Sequence, residues 1–71
     1  MSGTEYAYAP FAPAEARTIQ AGDVFILHGY KRTSLDGAWG AHPGHVTITF
    51  EGGGYAIVSA LKLLDVRRRA Q

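Results

Sequence analysis

The side chains best suited to chemistry in this 71-residue chain are three imidazoles, His28, His42 and His45, the last two only three positions apart. Three histidines hold zinc when they converge on one point. No fourth ligand lies near them, and Pro43-Gly44 bends the chain between two of the three, so the expectation is that His28 and His45 cap strands, with no metal and no cofactor. The sequence contains no cysteine, which removes thiolate nucleophiles, thiolate metal sites and disulfides. None of the three serines sits in a Gly-x-Ser-x-Gly turn, and no spacing rule pairs two carboxylates. Glu51-Gly52-Gly53-Gly54 lacks the Gly-Lys-Ser/Thr ending of a phosphate-binding loop and leads into a strand pattern instead of a helix. The residues therefore point to a non-catalytic chain.

What remains is chemistry of binding, and it has two sources. One is aromatic: Tyr6 and Tyr8 alternate with Ala7 and Ala9, and Phe11 lies within the Pro-x-x-Pro segment Pro10-Phe11-Ala12-Pro13, giving the N-terminus an apolar face that needs a partner surface. Trp39 lies among glycines; it is expected either to fold back as a lid over an open barrel end or to join Tyr30 and Tyr55 in an aromatic groove. The other source is cationic. Residues 21–71 carry six basic against four acidic groups, and Arg67, Arg68 and Arg69 with Lys31 and Arg32 would form a patch able to bind phosphates in a salt-dependent way, unless the tail is simply a solvated end.

Positioning these groups falls to a small scaffold. A chain of this length buries only about 60% of the surface its unfolded form exposes, so its core is thin and its organisation is a single domain. With seven Lys+Arg against six Asp+Glu, net charge alone argues for neither nucleic acid nor membrane. No window approaches the ~18 apolar residues of a membrane span, and no basic stretch followed by an apolar one opens the sequence; the expected address is cytoplasmic, or inside a viral particle.

Along the chain, residues 1–20 are poor in branched aliphatics and read as an extended N-terminal arm, with a helical turn or two over 13–20. Ala21-Gly22-Asp23 is a turn, and Val24-Phe25-Ile26-Leu27 the first core strand. Residues 29–44, with four glycines and a proline, read as a long loop or irregular hairpin. His45–Phe50 alternates, with Val46, Ile48 and Phe50 on one face and Thr47 and Thr49 on the other. A glycine hairpin returns the chain as Tyr55-Ala56-Ile57-Val58, and Ser59-Ala60-Leu61 suits a short 3₁₀ turn before a strand at Leu63–Val66, with a helix over 59–69 as the competing pattern.

This succession, from Ala-Gly-Asp through Val-Thr-Ile-Thr-Phe and Glu-Gly-Gly-Gly to the final Leu, resembles an SH3-like small β-barrel over about residues 20–67. The resemblance implies five short, curved strands and a 3₁₀ turn before the last, and no single function. Ala41-His42-Pro43-Gly44-His45-Val46-Thr47-Ile48 is also similar to a stretch of the plasmid-borne, trimethoprim-resistant dihydrofolate reductases. Thr47 and Thr49 stand where that family carries its folate-contacting and nicotinamide-contacting glutamine and tyrosine, so its activity is not implied here.

The expectation is thus an all-β, SH3-like barrel spanning 21–67 with an arm (1–20) and a basic tail (68–71). Its expected role is that of an accessory assembly subunit, in the manner of phage or mobile-element proteins. It would bind a protein partner or its own copies through Tyr6, Tyr8, Phe11, Tyr30, Trp39 and Tyr55. The second reading is a small nucleic-acid-binding regulator using Lys31, Arg32, Arg67, Arg68 and Arg69.

Overall fold

Branched or aromatic residues at every second position favour an extended backbone with one face turned inward, and His45–Phe50 obeys this with Val46, Ile48 and Phe50 all buried. The computed structural model describes residues 10–69. Its strands are β1 (Ala12–Glu15), β2 (Val24–Leu27), β3 (Tyr30–His42), β4 (His45–Phe50), β5 (Tyr55–Ser59) and β6 (Leu63–Arg67), with a 3₁₀ turn at Ala16–Thr18. They form one antiparallel sheet in the order β1-β6-β2-β3-β4-β5, so the chain is all-β. Among the described residues β1 and β5 are the two edges, and no strand pairing joins them to close the sheet. Among the described residues no helix is long and apolar enough to cross a membrane.

The hairpin glycines Gly52, Gly53 and Gly54 all take positive φ, as the reversal between β4 and β5 requires. The last segment is a strand, because Leu64 and Val66 reach the core at a spacing of two while Leu63 and Asp65 face outward. A turn closed by the Lys62 amide on the Ser59 carbonyl (3.0 Å) precedes it.

Two segments depart from the sequence reading. Residues 29–44, expected as a long loop or an irregular hairpin, are mostly the long strand β3, which pairs with β2 through its first half and, with register shifts, with β4 through its second. Its glycines bend the strand without ending it. The register slips between Ser34 and Ala38, where Gly37 sits at φ 85° against Gln20, and the buried Ser34 hydroxyl accepts the Gly37 amide proton at 2.8 Å. A Cβ on Gly37 would lie 3.1 Å from both the Gln20 Cα and the Ile19 carbonyl oxygen. Gly37→Ala is therefore expected to cost about 1–3 kcal/mol, seen as a lower urea midpoint at unchanged m-value.

The second departure is the arm. From Ala12 onward it belongs to the sheet: β1 pairs with β6, and the expected helix over 13–20 is a strand followed by one 3₁₀ turn. The amides of Ala16 and Arg17 donate to the Lys62 and Ala60 carbonyls (2.8 and 3.0 Å), and Ala16 and Ile19 are both buried in the core. Alanine succeeds here because it is small. At Ala16 the backbone comes close enough to bond Lys62, and the segment reaches the core through Ala16 and the branched Ile19 together. The core centres on Phe25 and Phe50, whose rings are tilted by 49° at a centroid distance of 5.8 Å.

Candidate protein-interaction face

Turning Val46, Ile48 and Phe50 inward forces Thr47 and Thr49 outward, and the strand registers then decide what stands beside them. Trp39 on β3 lies opposite Thr47, Thr47 opposite Ile57 on β5, and Thr49 opposite Tyr55. Trp39, Ile57 and Tyr55 are 50%, 49% and 66% exposed, yet Thr47 between the first two is nearly covered. These side chains line a depression of about 430 Å³ that holds no charged group.

Tyr55 and Ile57 also belong to a second groove, of about 320 Å³, on the other side of β5. One wall is β5 itself from Tyr55 to Val58, and the other comes from the β2–β3 hairpin through Leu27, Tyr30 and Arg32, with Phe50 between them. The Arg32 guanidinium lies 5.1 Å from the Phe50 ring centre and 5.9 Å from that of Tyr30, a cation–π arrangement that holds it across the groove. Tyr55 and Ile57 thus border both hollows, with Trp39 beside one and Tyr30 beside the other. Exposed apolar patches of this kind mark contact sites.

Of the residues singled out from sequence, Tyr55 lines the depression with Trp39 and the groove with Tyr30, while Trp39 and Tyr30 share neither. Trp39 is on the outer face and is not a lid over the core. Phe11 lies elsewhere, with the Arg67 guanidinium 4.4 Å above its ring, and Tyr6 and Tyr8 are outside the described residues. Ile57 and Thr47 were missed. The signal was present, since Ile57 has the same strand parity as Tyr55, but only the β4–β5 register sets it beside Thr47 and Trp39.

The cationic residues are dispersed. Arg32 pairs with Phe25 and Lys31 with Ile26, so alternation puts the two on opposite sides of the sheet. On the Lys31 side Asp65 is in the same cross-strand row. Arg67 stacks on Phe11, and the Arg69 stem lies against Gly22. Arg68 is a clamp: its guanidinium donates to the Thr18 carbonyl and hydroxyl (2.9 Å each) and to the Asp23 carboxylate (3.0 Å). Asp23 is 3% exposed and also accepts the amides of Gln20 and Arg69, both at 2.9 Å. Burial alone would raise its pKa, but the hydrogen bonds from the Arg69 and Gln20 amides and from Arg68 outweigh it and hold the carboxyl below its ordinary value.

His42 and His45 face one another across the β3–β4 turn, while His28 sits at φ 52° in the β2–β3 turn. Among the described residues no three His, Cys, Asp or Glu side chains are grouped to hold a metal ion. No family model, curated protein or solved structure matches the chain.

Proposed function

We propose that the protein is a non-enzymatic assembly module on an SH3-like barrel, and that its copies associate through the surface around β5. Four features favour the SH3-like reading: strands β2 to β6 run consecutively, β3 is long and bent at Gly37, a tight turn precedes the last strand, and β6 pairs with β2; β1 is then an addition to that barrel.

The observation that carries the function is the uncharged surface of Trp39, Ile57 and Tyr55, exposed around a strand at the sheet edge. A second copy is the occupant it suits best. Like surfaces meeting in a symmetric contact bring each charge against its own kind, and this depression has none to repel.

Site-specific photo-crosslinkers in the purified full chain test the reading. At Tyr55 or Trp39 they are expected to give adducts at multiples of the 7.6 kDa chain, and at Lys31, on the part of β3 paired with β2 and turned to the opposite side of the sheet from Arg32, none. Equal yields at Lys31, or no adduct at Tyr55 and Trp39, refute it.

A further inference from the structure

We infer that His42 and His45 together bind a divalent transition-metal ion of the zinc type, and that one ion takes this pair from each of two copies. This rests on the reading of the outer face around β5 as the contact between copies, and it adds what fastens that contact.

In sequence, Pro43-Gly44 is a bend that separates two imidazoles. In the fold it is the turn that brings them together. Proline suits the first central position of a tight turn, and Gly44, at φ 74°, supplies the positive angle of the second. His42 and His45 are consequently Cα partners at the head of the β3–β4 hairpin. Residues directly opposed in an antiparallel pair send their side chains to one face, with Cβ atoms about 4.5–5.5 Å apart. Two nitrogens bound to one zinc ion stand about 3.4 Å from each other, a gap that rotation of two such rings closes. The turn is also held in place, since the Ala60 amide donates to the Gly44 carbonyl at 3.0 Å and ties it to the end of β5.

The same turn selects which nitrogen of His45 is available. Its Nδ1 lies 3.2 Å from the Pro43 carbonyl oxygen. A carbonyl only accepts, so Nδ1 is the donor and the neutral ring carries its lone pair on Nε2. Metal-bound histidines use this arrangement, in which a backbone carbonyl on one ring nitrogen orients the other toward the ion. Imidazoles without carboxylate neighbours suit zinc, copper or nickel, whereas calcium and magnesium require oxygen ligands.

Two imidazoles leave a tetrahedral ion half-coordinated. Among the described residues no third His, Cys, Asp or Glu is grouped with them, and the next residue in their cross-strand row is Ser59 on β5. A second copy supplies the remainder. His45 has the outward parity of Thr47, so the pair occupies the row next to Trp39, Thr47 and Ile57 on the same face. A two-fold axis beside that row sets the pair against its own image, which brings four imidazole nitrogens around one ion.

Zinc titration of the untagged full chain by calorimetry at neutral pH, with sedimentation velocity before and after, is the test. One ion per two chains is expected, with micromolar affinity and a shift toward twice the 7.6 kDa mass. His42→Ala and His45→Ala should each weaken binding by at least about tenfold, the loss that even a supporting partner of a metal ligand causes. Both side chains are exposed, so these variants should keep the parent's thermal midpoint. His28→Asn, in the β2–β3 turn, should leave binding unchanged. Equal zinc affinity in the parent and both alanine variants overturns the inference, and so does one ion per chain with no change in sedimentation. If zinc does not bind while the Tyr55 and Trp39 crosslinks form, the assembly surface stands and the metal site falls. If zinc joins two chains and no such crosslink forms in its presence, the site stands and the assembly surface falls.

Discussion

Replacing Asp23 by alanine is expected to remove roughly 2–4 kcal/mol of stability, because it strands two amide donors and the Arg68 guanidinium that share one carboxylate. A domain of this size holds about 3–5 kcal/mol in total, so the variant should be largely unfolded at 37 °C in a circular-dichroism melt. Asp23 ties together the turn after Ile19 and the chain beyond β6, segments 45 and 46 positions apart. Arg68→Gln should be milder, about 1 kcal/mol, since that side chain is 44% exposed.

The pH dependence follows from the same carboxylate. Its pKa is lower in the fold than in the unfolded chain, so its contribution is complete above the unfolded value of about 3.9 and disappears as the pH falls through the folded value. The stability gap between the parent and Asp23→Asn should accordingly be widest near neutrality and narrow below about pH 4. A gap that stays constant from pH 7 to pH 3 contradicts this role for Asp23.

Phe25→Ala is expected to cost roughly 3–5 kcal/mol, the whole of the available stability, and to abolish a cooperative thermal transition. Phe25 is fully buried and its ring contacts Phe50, which in turn carries Arg32 at the groove. Phe25→Leu, which keeps most of the volume, should retain a transition with a lower midpoint. If Phe25→Ala melts like the parent, the core is not centred where the packing puts it.

The strands read at 24–27, 45–50, 55–58 and 63–66 were legible from near neighbours alone: 24–27 as a short apolar, branched run, 45–50 by its alternation, and the last two as short apolar runs set off by a glycine hairpin and a turn. β3 was not, since glycine content says loop wherever a bulge is not foreseen, and the bulge at Gly37 exists only because Gln20 and Ile19 press against it. The fate of the basic tail was equally hidden: three consecutive arginines look alike in sequence, and only the fold sets one over Phe11 and another on a buried aspartate.

The sequence by itself determined that this is an all-β chain without thiol chemistry, with aromatic residues in excess of what its core consumes. Tertiary structure decided which of those aromatics share a surface. Strand alternation fixes a side chain's face from its immediate neighbours, but whether Trp39, Ile57 and Tyr55 touch depends on the register between strands, which bulges and turns set across many residues.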